Sequence, residues 1–287
     1  MRKILSALLY LSFLSSVCFA QVNPRPQIWG IAKMTFLVSD FGSARDYYGK
    51  FLGFDEAFSY QSEIGKVISF KVNDSQFLEF VEDKDAKQKA RLVSVSFETE
   101  NVEQRRGYLK SKRVEVPEKV SIDGAGNEVI LVHDPSGIPV EFISLKPNSL
   151  HRTSKGKYLS ANRISKRIHH AGLYTKEVLD NDPFYSGILG FEELWRYPVN
   201  NQEKIQMNYL QIPECAELIE HYSSDDVNFS HLCLLVDDMQ EAVYTLRERK
   251  GDNRLATPVV GKGKRWILNL FNHDRSMIEF TESHTVK

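Results

Sequence analysis

The chain has 287 residues, with 37 Lys and Arg against 38 Asp and Glu, for a formal charge of −1. A balance this close to neutral excludes a protein that works by coating nucleic-acid phosphates, which requires a basic face. The length fits two domains of ordinary size.

The first twenty residues, MRKILSALLYLSFLSSVCFA, have a basic start at Arg2 and Lys3, an apolar run from Ile4 to Leu14 and a small residue at Ala20. This is the layout of a cleavable export signal. The apolar stretch is shorter than the roughly 20 residues that cross a bilayer, and Val17 before Cys18 is larger than a lipoprotein site favours. The expectation is an exported protein, periplasmic or extracellular, with no membrane association after cleavage. Cleavage removes two positive charges and no negative ones, moving the balance from −1 to about −3. Cys215 and Cys233 then remain, which allows one disulfide, but no CxxC pair points to a redox or zinc-ribbon site.

From residue 28 the chain repeats. IAKMTFLVSD (31–40), RLVSVSFETEN (91–101), IHHAGLYTKEV (168–178) and SHLCLLVDDMQ (230–240) are alternating apolar runs that end in acidic or small polar residues. Each reads as a strand leading into a helix cap. DFGSARDYYGKFLGFDE and LDNDPFYSGILGFEE follow the first and third runs and share aromatic residues, a Leu-Gly-Phe and acidic residues. Their apolar residues recur at helical spacing, and Gly53 and Gly190 suit helix C-terminal caps. Helices are likewise expected in VEQRRGYLKSKRVEVP and MQEAVYTLRERKGDNRLATP. Three strands close each unit, so the fold class is α+β, built from four βαβββ units.

Between the second and third units lies a basic, Ser-rich stretch without acidic residues, KPNSLHRTSKGKYLSANRISK. It reads as a linker (148–167) between a first domain (28–147) and a second (168–284). The step from Lys33 to Ser94 is 61 positions, and so is the step from His170 to His231.

Paired βαβββ units of this content resemble the vicinal oxygen chelate superfamily, which includes glyoxalase I, bleomycin-binding proteins and the extradiol ring-cleaving dioxygenases. The resemblance covers about residues 28 to 284 and implies two open-barrel domains, with metal ligands on the first and last strands of each unit. Carried over, it implies a metal site in the second domain at His170, Glu220, His231 and Glu279. The equivalent first-domain positions are Lys33, Glu79, Ser94 and Glu141. A lysine ammonium has no free lone pair and a serine hydroxyl is a poor ligand, so that cup is expected to hold no transition metal.

Strand alternation then places His170, Gly172 and Tyr174 toward the cup and His169 away from it. Singly, each His or Glu is more simply a packed residue or a surface acid. Together, two imidazoles and one or two carboxylates suit a divalent first-row ion, Fe, Mn, Zn or Ni, and leave positions for substrate oxygens. Tyr174, Tyr209 and Tyr222 are candidate hydrogen-bond donors to a substrate, with Tyr174 and Glu220 taken as catalytic. Arg265 and Trp266 are candidates to hold an anionic substrate, although an Arg at a strand start is usually solvated. Cys233 reads most simply as a small apolar filler.

The resemblance implies two reaction classes. With Glu220 as ligand the set is glyoxalase-like, a lyase or isomerase in which a carboxylate moves a proton beside a polarised carbonyl. Without it, a two-His, one-carboxylate set remains, as in the extradiol dioxygenases. Those enzymes carry a Tyr and an Asp-Pro-x-Gly before the last ligand, where this chain reads LNLFNHDRSMIEF. The alternative function is a non-catalytic, bleomycin-resistance-like protein that binds a small molecule. Pairing of two copies through their sheets is left open.

Overall fold

The computed structural model describes residues 24–88, 91–199, 204–226, 229–250 and 255–286; the expected export segment lies outside them. The first domain holds β1 (Gly30–Val38), β2 (Asp55–Ser62), β3 (Gly65–Lys71), β4 (Phe77–Glu82), β5 (Leu92–Glu98), β6 (Ser121–Ile122), β7 (Glu128–His133) and β8 (Pro139–Ser144). The second repeats the plan with β9 (Arg167–Thr175), β10 (Glu192–Tyr197), β11 (Met207–Gln211), β12 (Leu218–Ser223), β13 (Ser230–Leu235), β14 (Val259–Val260), β15 (Trp266–Phe271) and β16 (Met277–Thr281).

Each domain is one curled, eight-stranded sheet. The orders are β2-β3-β4-β1-β5-β8-β7-β6 and β10-β11-β12-β9-β13-β16-β15-β14. The first strands of the two units, β1 with β5 and β9 with β13, pair antiparallel at the centre, while the last strand of each unit runs parallel beside its own first strand. The residues expected to matter therefore lie on the four middle strands of each sheet.

Helices cover the other face. Asp40 caps α1 (Phe41–Ala44) by accepting from the Ser43 amide at 2.6 Å, and Asn101 caps α2 (Val102–Ser111) through the Gln104 amide at 2.9 Å. The first helix continues as a wider π-helical turn over Arg45–Phe51, and the third unit repeats this over Pro183–Ile188. Gly53 (φ 83°) and Gly190 (φ 76°) follow these turns at positive φ, as a C-terminal cap requires. The linker contains α3 (Leu150–Thr153), and α4 (Met239–Lys250) completes the fourth unit.

The helices form the junction between domains. The Arg249 guanidinium on α4 donates to the Phe51 carbonyl at 2.9 Å, and the Tyr108 hydroxyl on α2 donates to the Ile188 carbonyl at 2.8 Å. The two π-turns reach across reciprocally. Tyr185 donates to Asp134 in the first domain at 3.1 Å, and Asn272 in the second domain donates to the Tyr48 hydroxyl at 3.3 Å. Burial at this contact pushes the Asp134 carboxyl up to about 6. One contiguous apolar core, from Ile31 and Phe97 to Phe191 and Phe280, runs through both domains. The cups, with their polar residues, therefore open away from the junction.

Candidate metal centre

Four donor atoms converge in the second cup. His170 Nε2 lies 3.1 Å from His231 Nε2, 3.3 Å from Glu220 Oε2 and 3.6 Å from Glu279 Oε1, and His231 Nε2 lies 3.1 Å from Glu220 Oε2. The register explains the convergence. Gly172 is the cross-strand partner of both Glu220 on β12 and His231 on β13, while Cys233 pairs with His170 and with Glu279 on β16. The imidazoles thus come from the two central strands and the carboxylates from the strands on either side.

The residues fit a metal ion. Ligand atoms about 2.1 Å from a common ion stand roughly 3.0 to 3.4 Å from one another, close to the separations seen. Glu220 Oε2 and Glu279 Oε1 are buried yet accept no hydrogen bond, which leaves two carboxylate oxygens in want of a cation. Burial opposes ionisation of Glu220, but the His170 and His231 imidazoles outweigh it and hold that carboxyl well below the usual range. For Glu279 burial prevails, raising its carboxyl despite the same two imidazoles.

The ring of His231 is oriented by contact. Its Nδ1 is buried without a partner, and the ring packs on Gly172, where an added Cβ would sit 1.9 Å from the imidazole Cε1. Gly172→Ala is therefore expected to displace the ring and weaken metal affinity at least as much as losing an outer-shell partner, about 10- to 100-fold. A metal titration of folded variant and parent checks this; unchanged affinity would mean the ring is not set by that contact.

His169 departs from the alternation expected of it. The pairing steps from Cys233–His170 to Leu234–Ile168, so β9 carries an extra residue, a bulge, at His169. Instead of pointing away, His169 lines the same cavity as His170, with the two Nδ1 atoms 2.8 Å apart, and its Nε2 accepts from Arg265 at 2.7 Å. Burial, with positive neighbours, keeps the His169 imidazole well below its ordinary range and hence neutral. His169, His170 and Cys233 are also close enough to share an ion; because this group shares His170, it is an extension of the same site.

The cavity beside the four donors measures about 210 Å³ and is walled by Trp195, Tyr209, Leu218, Arg265 and Ile267. Tyr174 is not among its lining residues. Tyr174 stacks on Tyr222 at 5.2 Å and meets His231 edge-on at 5.9 Å, so it supports a ligand from outside. Tyr209, 5.3 Å from the His170 ring, takes the place in the cavity that was expected of Tyr174. Burial and the two carboxylates push its phenol up, so it remains an O–H donor. Trp266 is exposed and not part of the wall, whereas Arg265 is. Cys215 and Cys233 are both free thiols.

The first cup is filled by its own side chains. Lys33 Nζ stands 2.9 Å from Glu79 and 3.4 Å from Glu141, with Asp123 at 3.9 Å. Tyr60 donates to Glu79 at 2.7 Å and Ser96 to Glu141 at 2.7 Å. The linker contributes too. His151 on α3 is buried between Phe58 and Phe77 with Nε2 3.1 Å from Glu79, and Lys71 anchors the linker through the Ser154 and Lys157 carbonyls. An ammonium ion occupies the position that the imidazoles define in the second domain.

The family model of the Glyoxalase/Bleomycin resistance protein/Dioxygenase superfamily matches residues 30–142 and 167–280. No curated protein sequence matches the chain. Among solved structures, a variant of homoprotocatechuate 2,3-dioxygenase from Brevibacterium fuscum aligns with a TM-score of 0.70 at 17% identity, covering 92% of this chain and 74% of that one. The Arthrobacter globiformis homoprotocatechuate 2,3-dioxygenase aligns at 0.68 and 16%, covering 91% and 81%. The 2,3-dioxygenase LapB from Pseudomonas sp. KL28 aligns at 0.71 and 12%, covering 92% and 96%. At such identities the likeness shows the fold.

Proposed function

The chain belongs to the Glyoxalase/Bleomycin resistance protein/Dioxygenase superfamily, and from that premise we propose that it is a metal-dependent enzyme whose second domain binds a small substrate through two adjacent oxygens and moves a proton between neighbouring atoms. The convergence of four donors, Glu220 included, carries this reading. His170, His231, Glu220 and Glu279 would hold the ion. When bound, a divalent first-row metal supplies Lewis-acid polarisation of the substrate oxygens.

The protein groups do the rest. Glu220 and Glu279 flank the site from opposite sides, so one carboxylate keeps the charge balanced while the other takes a proton from substrate carbon and returns it next door. Tyr209 donates a hydrogen bond to a substrate oxygen, and the aromatic wall packs against the apolar part of the substrate. Residues 1–20 support export, and an exported enzyme works away from cytoplasmic thiol adducts. Glu220 supplies a second carboxylate beside the two imidazoles, a base that a two-His, one-carboxylate set lacks, and this favours proton transfer over ring cleavage. The tandem plan, with the donor set in the second domain, favours the extradiol dioxygenase reading as the second.

The test is metal content of the purified protein, followed by two assays. Incubation with α-hydroxy ketones in D2O, read by NMR, is expected to show deuterium entering the carbon beside the carbonyl, with about one metal per chain. Oxygen uptake with catechols would replace this reading by ring cleavage. Absence of metal after reconstitution would leave the non-catalytic binding protein.

A further inference from the structure

Arg265 is a cation without an anion. It begins the stretch that enters β15, lies on the cavity wall, and donates to His169 Nε2 at 2.7 Å. Among the described residues no carboxylate lies within ion-pair distance of it, although Glu279 lines the same cavity. A guanidinium only donates, and its partner is an imidazole nitrogen, which brings no negative charge to it. Other half-buried arginines in this chain do meet an acid: Arg25 pairs with Glu214, Arg106 with Glu103, Arg152 with Glu98 and Arg196 with Glu193.

Two further features bear on this group. The loop that carries Arg265 and Gly263 on the wall also holds Lys262 and Lys264, both exposed, with no acidic residue between positions 261 and 265. This gives the mouth a local positive field on a chain of net charge −1. The cavity also has a size: about 210 Å³, where a cavity of roughly 150 Å³ accommodates benzene. Its wall of Trp195, Tyr209, Leu218 and Ile267 suits a flat apolar body no larger than a single substituted ring.

We propose that Arg265 is the anion receptor of this cavity, and that the substrate is a small monocarboxylate with a ring-sized apolar body, its carboxylate on Arg265 and its adjacent oxygens toward His170 and Glu279. This rests on the reading of the metal centre given above and adds the substrate class. One planar fork matches one planar carboxylate in two parallel hydrogen bonds. A phosphate would call for further donors, and Arg265 is the one cationic side chain on the wall among the described residues. On binding, the carboxylate gives the guanidinium the negative partner that the His169 ring does not supply.

The test uses the full-length, metal-loaded protein and three probes: benzoate, benzamide and catechol, with dissociation constants from calorimetry. Benzoate is expected to bind about tenfold tighter than its uncharged isostere benzamide, and to weaken as salt is added. Arg265→Gln is expected to lose that preference while its benzamide affinity stays within about twofold. Arg265→Lys, which keeps the charge but not the fork, is expected to retain an intermediate preference. Benzoate no tighter than benzamide in the parent protein would overturn the inference without any variant, as would a preference that survives in Arg265→Gln. Catechol reports the vicinal-oxygen reading separately. If catechol fails to bind while benzoate still depends on Arg265, the anion receptor stands and the proposed chelation falls.

Discussion

His231→Ala is expected to strip the protein of its metal, from about one ion per chain to less than a tenth, while Ser94→Ala at the equivalent place in the first domain changes nothing. Loss of an outer-shell partner weakens a metal site by about 10- to 100-fold, so loss of a direct ligand should exceed that range. The remaining His170, Glu220 and Glu279 would have to hold the ion with one fewer nitrogen and an opening above Gly172 where the ring was. Activity should fall at least as far as occupancy. Elemental analysis after gel filtration checks the pair. Metal retained in His231→Ala, or lost in Ser94→Ala, would mean that the donor set has been assigned to the wrong cup.

The largest effect on stability is expected at Lys33. Its ammonium neutralises Glu79 and Glu141, and Glu79 is fully buried. Burial works against ionisation of Glu79, yet Lys33, helped by His151 and Tyr60, holds its carboxyl below the usual range. Lys33→Met keeps the length of the side chain and removes the charge, leaving two carboxylates together. Removing one partner of a buried pair costs about 3 to 5 kcal/mol.

The pH dependence should reverse as well. In the parent the folded pKa of Glu79 lies below its unfolded value of 4.5, so its contribution is present above that pH and lost as pH falls through the folded value. In Lys33→Met the folded pKa rises above 4.5, so the variant should recover stability on acidification toward that value. Urea unfolding at pH 5 and pH 7 checks both statements. A loss under 1 kcal/mol would mean that solvent reaches the carboxylates, and a parallel pH profile would remove Lys33 as their counter-ion.

The contrast between the two cups also shows what could be read from residues alone. The equal 61-position steps and the alternating runs place His170 and His231 on paired strands, and the structure brings Glu220 and Glu279 to them. Alternation fails at His169, because a bulge is a property of pairing between strands and His169 has no residue type that announces one. Tyr174 lies on the expected strand, but its ring is drawn to Tyr222 and Phe229, which belong to segments remote in the chain. The linker hides its role for a similar reason. A Ser-rich stretch without an apolar period gives no sign that His151 will be enclosed by Phe58 and Phe77, since the enclosure is supplied by two strands remote from it in the chain.

The bulge at His169 has a twin. In the first sheet the register skips Ala32, between Ile31 and Lys33, at the matching place. There a methyl group packs against Ile143 and Leu145 and no ligand needs aiming. The bulge therefore belongs to the plan of the sheet and not to the chemistry of one cup. One backbone mould thus carries two different interiors, an ammonium sealed among carboxylates in the first domain and an open cavity beside two imidazoles in the second.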